Sequence, residues 1–307
     1  MKKTSQKKFA FKKTVFLAAS ALSSALIFSC ATSSVLTDAL SSAGQIASKA
    51  GYSDAGNVLN AASAASKAME EITPENEYYI GRAVAATVLT NYKKANAEKQ
   101  QAYLNKIINT LALNSGETEP FNGYHVMILD STEVNAFATS GGHIFITKGL
   151  LSTAKSEDEI AAALSHEMAH IQLKHSLKAI KTSRWTSAGI SVLSTAAQFS
   201  SAELASSMDG MVNDQISTMV NNGYSQSQEF QADEKALTIL SCSGYNPSAM
   251  IDLLNSLNAV QGSSGSGMFK THPTPEKRIA KASTALKSVS SPNDTSSYRK
   301  ARFAQSK

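Results

Sequence analysis

Cysteine, tryptophan and proline are scarce in this 307-residue sequence, which contains two, one and six of them. Two cysteines, Cys30 and Cys242, are too few for a disulfide-rich scaffold. The sequence is 42% hydrophobic and 17% charged, which is ordinary for a globular protein. A chain of this length has room for one sizeable domain or two small ones.

Acidic residues are absent before Asp38, whereas six lysines lie within the first 13 residues. The whole chain carries 29 Lys and Arg residues and 24 Asp and Glu residues, a formal charge of +5. Without residues 1–29, 23 basic side chains face 24 acidic ones. The basic character therefore belongs to the leader, and we expect no nucleic-acid partner.

Long hydrophobic runs are also missing. The longest apolar run of the leader, from Val15 to Phe28, is shorter than the roughly 20 residues that a membrane-spanning helix needs. A lysine-rich start, a short apolar run and then small residues predict a secretory signal peptide over residues 1–29. The chain is therefore expected to be exported.

The leader ends in Leu26-Ile27-Phe28-Ser29-Cys30, which resembles the bacterial lipoprotein box except at Phe28. This resemblance implies acylation of Cys30 and a lipid anchor at the periplasmic face of the envelope, with the outer membrane as the expected location. The alternatives are an ordinary signal cleaved near Ala31 and an uncleaved anchor. With Cys30 acylated, Cys242 has no partner and is expected to be a small buried side chain.

Composition predicts four segments. Residues 1–29 form the signal peptide, 30–72 an Ala/Ser-rich tether, 73–287 the folded domain and 288–307 a disordered tail. Within the domain, the patterns predict helices near 74–94 and 97–113, then short strands at 124–129, 136–138 and 143–147. Ser156 and Glu159 are spaced as a capping box that opens another apolar-periodic helix. The fold class predicted is α+β and mostly helical.

This last helix contains His166-Glu167-Met168-Ala169-His170. Two histidines four residues apart project from one face of a helix and can bind a single zinc ion. Glu167 follows the first histidine directly, and in H-E-x-x-H peptidases the glutamate takes a proton from the attacking water. The alternative is a helix surface that merely carries two histidines.

A catalytic zinc site needs a third protein ligand. Glu229 is the candidate, and Asp233, one helical turn beyond it, could orient a ligand imidazole through its other ring nitrogen. Without the upstream motif, the same pair would be interpreted as a solvated helix face.

The sequence between Glu77 and Arg278 resembles metallopeptidase family 48, the CAAX-prenyl-protease and HtpX type. Four blocks in order carry the resemblance: Asn135-Ala136-Phe137-Ala138 with Gly141-Gly142-His143-Ile144 and Gly149-Leu150-Leu151; His166 to His175; Glu229-x-x-Ala232-Asp233; and Thr271-His272-Pro273 with Arg278.

The resemblance implies one zinc ion per chain, held by His166, His170 and Glu229, with Glu167 as general base. It also implies that His272 and Arg278 stabilise the oxyanion of the tetrahedral intermediate. A small sheet beside the metal helix is expected, in which the segment from Gly142 to Phe145 is an edge strand that binds extended substrate by strand addition. The predicted substrate-binding residues are Asn135, Gly142, His143, Ile144 and Phe145. His175 lies off the ligand face and is assigned to packing or hydrogen bonding.

Integral-membrane members of the family carry several spanning helices, which this sequence lacks after its leader. It is instead similar to the exported branch, so the expected substrates are unfolded or misassembled envelope proteins. Two alternatives stay open: a zinc-bearing lipoprotein that acts as a chaperone or assembly factor with little turnover, and a structural lipoprotein with an accidental motif. The segment from Gly210 to Gly223 is a hypothetical gate over the site.

Overall fold

The structure, a computed structural model, describes residues 41–46, 48–49, 72–178, 223–260, 272, 275–292 and 296–306. The chain divides into two compact units, residues 1–71 with 184–197 and residues 72–183 with 198–307. In the first unit, residues 41–46 are helical. The predictions for the signal peptide, Cys30, most of the tether and the gate up to residue 222 lie outside the described residues.

The second unit opens with two helices, α1 (Pro74–Asn91) and α2 (Glu98–Asn114). Thr73 caps α1, because its hydroxyl accepts a hydrogen bond from the Asn76 amide at 3.2 Å. Pro74 follows as the first helical residue, where its lack of an N–H group leaves no donor unpaired. Both predicted helices are confirmed. The first one ends three residues earlier than predicted, since Lys94 forms an antiparallel bridge with Leu129.

Three short strands form one sheet: β1 (His125–Leu129), β2 (Ala136–Ala138) and β3 (His143–Thr147). The strand order is β1-β3-β2, with β3 parallel to β1 and antiparallel to β2. The prediction that the segment from Gly142 to Phe145 is an edge strand is therefore wrong. This segment leads into β3, the central strand of the sheet. The edge strand beside it is β2, which follows Asn135.

A tight turn explains why β3 returns beside β2. Ser140–Gly142 form one 3-10 turn in which Gly141 has a φ of 73°, a left-handed conformation that favours glycine. The turn also presses against α1, since a Cβ on Gly141 would lie 2.5 Å from the Tyr78 Cα. Glycine at this position thus sets both the hairpin and its contact with the first helix.

After the short helix α3 (Lys148–Thr153), helix α4 (Glu157–Gln172) runs through the core, with nearly every side chain buried. Ser156 caps it by accepting a hydrogen bond from the Glu159 amide at 3.1 Å. The predicted capping box is only half formed, because the Glu159 carboxylate accepts from the Lys155 amide instead of the Ser156 amide. Alanines such as Ala161 to Ala163 allow neighbouring helices to approach α4 closely.

Helices α5 (Gln226–Cys242) and α6 (Ala249–Val260) pack against α4, and α7 (Pro275–Leu286) packs against α5 and α6. A reciprocal capping box between Ser225 and Gln228 fixes the start of α5. Cys242 is exposed, so the prediction that it is buried is wrong. It is the last residue of α5, where the helix leaves the core.

The prediction of a disordered tail from residue 288 is wrong for α8 (Ser296–Ser306). Arg299 Nε donates to Asp158 Oδ2 at 2.8 Å, and Arg302 Nε donates to Glu157 Oε2 at 3.0 Å. These two ion pairs, here called the clamp, fasten α8 to the first turn of α4, and Phe303 packs against the core.

The predicted fold class, α+β and mostly helical with one small sheet, is confirmed. Among the residues described, no helix combines the length and the apolar character that crossing a bilayer requires.

Candidate active site

Helices α4 and α5 lie side by side and bring the two sequence motifs together. His166 and His170 project from α4, and Glu229 faces them from the first turn of α5, all with 0 to 1% of their surface exposed. The two histidine Nε2 atoms are 3.1 Å apart. The Glu229 carboxylate oxygens lie 3.5 Å from His166 Nε2 and 3.4 Å from His170 Nε2.

These spacings fit a small tetrahedral metal ion. Zinc binds nitrogen and carboxylate oxygen at about 2.0–2.2 Å, so neighbouring ligand atoms around a tetrahedral ion lie about 3.4 Å apart. The 3.1 Å between the two imidazole nitrogens and the 3.4 and 3.5 Å from them to the two carboxylate oxygens are close to this value. The residues present therefore fit a metal such as zinc, in the arrangement that the motif spacing predicts.

His272 joins the same cluster. Its Nδ1 lies 2.9 Å from Glu229 Oε1 and 3.3 Å from His166 Nε2, and one ligand atom from each of His166, His170, Glu229 and His272 lies within 4.8 Å of every other. The family resemblance implies that His272 is an oxyanion donor beside the metal. In the structure, a ring nitrogen of His272 lies among the predicted metal ligands.

His166 is supported from behind by charged groups. Its Nδ1 lies 2.9 Å from Asp233 Oδ1, and Asp233 in turn accepts two hydrogen bonds from Arg278, at 2.8 Å from Nε and 2.7 Å from Nη2. Arg278 Nη1 also lies 3.0 Å from Glu229 Oε2. The buried guanidinium thus binds the carboxylates that flank the histidine.

His170 is supported differently, by neutral groups. Its Nδ1 lies 3.0 Å from His175 Nδ1, and His175 Nε2 lies 3.3 Å from Gln231 Oε1. The Tyr224 ring stacks on His170 with 4.0 Å between centroids, and its hydroxyl lies 2.8 Å from that of Ser176. Sequence reasoning assigned His175 to packing or hydrogen bonding but missed Tyr224 and Gln231, because neither belongs to a motif.

The charges of the cluster shift its protonation. Burial and the charge of Arg278 oppose protonation of His166, but hydrogen bonds with the Asp233 and Glu229 carboxylates raise its pKa to about 9. Against the effect of burial, His272 and Arg278 hold the pKa of Glu229 well below its ordinary value. Burial lowers the pKa of His170 well below the usual range. The two carboxylates thus favour the protonated form of His166, with which a metal ion would compete.

Glu167 differs from the other carboxylates of the site. It is fully buried, and neither of its oxygens has a hydrogen-bond partner within the described part of the chain. His272 Nε2 lies 3.6 Å from Glu167 Oε1, and burial raises the pKa of Glu167. A buried carboxylate without donors is costly, so this group is poised to accept a proton.

The predicted substrate-binding residues lie at different positions in the sheet. Gly142, Ile144 and Phe145 are buried and belong to the central strand or its turn, where both sides are paired. His143 is half-buried and stacks on Tyr78. Asn135 precedes β2, with its backbone bonded to Thr147 on the β3 side.

The outer side of β2 is the edge of this sheet, and it is buried, with Ala136 and Ala138 exposing 0 and 2% of their surface. The bonds from Thr147 N to Asn135 O and from Thr139 N to His143 O show that residues 135 and 139 face β3. Because facing alternates along a strand, the amide and carbonyl groups of Ala136 and Ala138 point away from β3. In the described residues, no hydrogen bond to another segment occupies them.

Ligand atoms presented by two packed helices, with an unpaired glutamate beside them, define a metal-dependent peptidase. The sequence profile of peptidase family M48 is more specific. It matches residues 98–286, more than half of the chain, and the chain belongs to this family. The resemblance inferred from the four sequence blocks is confirmed, and family membership classifies the chain as a metallopeptidase.

Curated relatives include bacterial and mitochondrial proteases. The chain is 27% identical over 213 residues to the beta-barrel assembly-enhancing protease of Yersinia pestis, covering 66% of this chain and 42% of the relative. It is 30% identical over 184 residues to metalloprotease LoiP of Escherichia coli, covering 60% and 69%. It is 30% identical over 201 residues to mitochondrial metalloendopeptidase OMA1 of Schizosaccharomyces pombe, covering 63% and 55%. The chain thus spans less than half of the Yersinia relative.

Proposed function

We propose that this chain is a zinc endopeptidase that hydrolyses peptide bonds of unfolded or misassembled envelope proteins. The observation that carries the proposal is the cluster of His166, His170 and Glu229 ligand atoms, spaced 3.1 to 3.5 Å apart beside the Glu167 carboxylate, which has no hydrogen-bond partner among the described residues. Helix surfaces with incidental histidines do not bury such a set next to a carboxylate that lacks donors.

Glu167 is the general base in this proposal. When bound by these residues, zinc supplies Lewis-acid chemistry, which polarises a carbonyl and acidifies water. Glu167 accepts a proton from the water that attacks the scissile carbonyl carbon, and delivers it to the amine when the carbon–nitrogen bond breaks. Burial raises the pKa of Glu167, which moves its proton affinity toward the working pH that general catalysis favours.

Asp233 and Arg278 are positioning residues in the same proposal. Asp233 accepts from His166 Nδ1, which would leave Nε2 of that ring available to hold the metal. Arg278 has its guanidinium nitrogens on Asp233 and Glu229. These contacts hold the ligands and balance their charge, so we assign Arg278 to support of the metal ligands in place of direct oxyanion binding.

The outer edge of β2 is where we place an extended substrate. Ala136 and Ala138 direct their backbone groups away from β3, and β2 packs against the metal helix α4. Both residues are buried, so an extended substrate binds there only after this edge is uncovered. Strand addition at such an edge binds main chain without regard to side chains. This mode suits unfolded polypeptides, which share a backbone and little else.

The envelope location rests on sequence and on relatives. The leader over residues 1–29 predicts export, and Cys30 is the proposed acylation site. The Yersinia relative is named for assembly of β-barrels, which are proteins of outer membranes. In a bacterial host, Cys30→Ser should move the protein from the membrane fraction to the periplasmic fraction. An unchanged distribution between the two fractions would contradict the lipid anchor.

The experiment that tests the activity is cleavage of unfolded casein by the purified protein beside its Glu167→Gln variant, with zinc measured in both. The substitution keeps the shape of the side chain and removes its basicity. We expect one zinc per chain in both proteins and cleavage by the wild type alone. Zinc without cleavage by the wild type and by a His272→Ala variant, which removes the fourth potential ligand, would reject the peptidase. It would support the metal-bearing chaperone or assembly factor.

A further inference from the structure

Behind the metal-facing side of His170 lies a chain of hydrogen bonds that reaches the protein surface. His170 Nδ1 contacts His175 Nδ1 at 3.0 Å, and His175 Nε2 contacts Gln231 Oε1 at 3.3 Å. His170 and His175 are fully buried, whereas Gln231 is exposed. Two of the three residues contribute no ligand atom to the cluster described above.

The contacts allow only one arrangement of protons if His170 binds metal. A neutral imidazole carries one N–H, so a lone pair on His170 Nε2 requires a proton on Nδ1. Among the described residues, the partner of that proton is His175 Nδ1, which must then be the unprotonated nitrogen of its own ring. His175 Nε2 therefore carries a proton, and its partner must be an acceptor, the carbonyl oxygen of Gln231.

We propose that His175 and Gln231 form a hydrogen-bond relay that fixes the tautomer of His170. The Gln231 carbonyl oxygen accepts the last hydrogen bond of the relay and thereby determines which nitrogen of each ring carries the proton. The proposal rests on the metal site of the proposed function, and it adds two positioning residues to it. Tyr224 complements the relay, because its ring stacks on His170 and holds the ring plane. The relay holds the proton on Nδ1, so that Nε2 faces the cluster with its lone pair.

A merely structural contact and a relay differ in what they require at position 231. If Gln231 only fills space, side chains of similar length should serve equally well. If it directs the relay, an acceptor is needed. A donor at this position would oblige His175 Nε2 to accept, so that His175 Nδ1 and His170 Nδ1 could not both keep their roles.

The test is a series of three substitutions, Gln231→Glu, Gln231→Met and Gln231→Lys, which offer an acceptor, no hydrogen bond and donors only. Because Gln231 is exposed, each variant should fold, which the melting temperature of the metal-free protein checks. Thr238→Lys adds the same charge at an exposed position of the same helix and is the control. The readouts are the zinc dissociation constant by chelator competition and the visible absorption of the cobalt-loaded protein.

We expect Gln231→Glu and the control to bind zinc within about threefold of the wild type. Gln231→Met and Gln231→Lys should bind about 10- to 100-fold more weakly, the usual range for supports of metal ligands, with an altered cobalt spectrum. Equal affinities in all variants would overturn the relay while leaving the metal site intact. A wild type that binds no zinc would instead reject the proposed function.

Histidine tautomers provide a second readout that does not depend on the variants. Long-range proton–nitrogen correlation spectra of the zinc-loaded wild type should show His170 protonated at Nδ1 and His175 protonated at Nε2. Finding His175 protonated at Nδ1 would contradict the relay even if zinc affinity fell in Gln231→Met.

Discussion

The two ends of helix α4 both bury carboxylates, yet they treat them in opposite ways. At its N-terminal end, Glu157 accepts hydrogen bonds from Arg302 and Tyr103, each at 3.0 Å, and from Tyr245 at 3.2 Å. Nearer its C-terminal end, Glu167 is equally buried and has no hydrogen-bond partner in the described part of the chain.

Burial therefore does not distinguish a structural carboxylate from a reactive one. The hydrogen bonds that its oxygens accept do distinguish the two. Each Glu157 oxygen has donors, so the residue acts as a joint between α2, α4 and α8. The Glu167 oxygens accept no hydrogen bond from the described residues, which costs folding free energy. A folded chain tolerates this cost where a ligand or a reaction needs those oxygens. The clamp should thus govern stability and the cluster should govern chemistry.

The largest effect should follow from removing a predicted metal ligand. Glu229→Ala leaves two histidines facing a neutral methyl group, and loss of a direct ligand should exceed the 10- to 100-fold cost of losing a ligand support. We expect bound zinc to disappear and casein cleavage to fall by about 10³-fold or more. Glu234→Ala, an exposed glutamate of the same helix, is the matched control and should keep both. Full activity of Glu229→Ala would remove it from the ligand set.

Removing the metal should affect the cluster end in a second, measurable way. Zinc at about 1,000 times its dissociation constant stabilises the folded state by about 4 kcal/mol, so chelation should lower the melting temperature by about 10 °C. The Glu229→Ala variant should show no such response to the chelator. A wild-type melting curve that chelation leaves unchanged would argue against a metal in this cluster.

Breaking the clamp should weaken stability and leave chemistry alone. Arg299→Ala removes the partner of Asp158 and the donor to the Gly244 carbonyl, and hydrogen bonds to charged groups contribute about 1.5–3 kcal/mol each. We expect a loss of about 2–3 kcal/mol in the free energy of unfolding, with zinc content unchanged. Lys300→Ala, on the exposed side of α8, is the control. If Arg299→Ala lost zinc as well, the two ends of α4 would not be independent.

Sequence reasoning reached the cluster end of α4 but not the clamp. Histidines four apart and Glu229 followed by Asp233 are local patterns on helices, so their faces were predictable from helical geometry. The clamp pairs Arg299 with Asp158, 141 residues away, and α8 on its own is polar enough to look disordered.

Strand order was unpredictable for the same reason. The bounds of β2 and β3 follow from local alternation and from the Gly141 turn, but the position of β3 depends on β1, which pairs with it across the sheet. The support of His170 was likewise hidden, since Gln231 lies between Glu229 and Asp233 without any pattern of its own. Local signals located the ligands, whereas tertiary contacts decided what surrounds them.

The smallest expected change concerns His272, and it separates two roles for that residue. Four potential ligands fill a tetrahedral shell, whereas catalysis needs an open position. If His272 completes the shell, it holds the site closed, and His272→Ala should raise kcat/KM on an unfolded substrate by several-fold. If it stabilises the oxyanion, as the sequence predicted, the same variant should lose about 10²- to 10³-fold in kcat.

The geometry favours the first outcome, because His272 Nδ1 lies 2.9 Å from Glu229 Oε1, inside the group of ligands. His272 is buried, so His272→Gln serves as a second variant that keeps most of the volume and the polarity. An increase in both variants, with zinc retained by His166, His170 and Glu229, would mean that the cluster end of α4 is closed at rest. The buried Glu167 carboxylate would then stay unused until His272 moves away. The clamp at the other end of the helix requires no such movement, because its groups are fully paired.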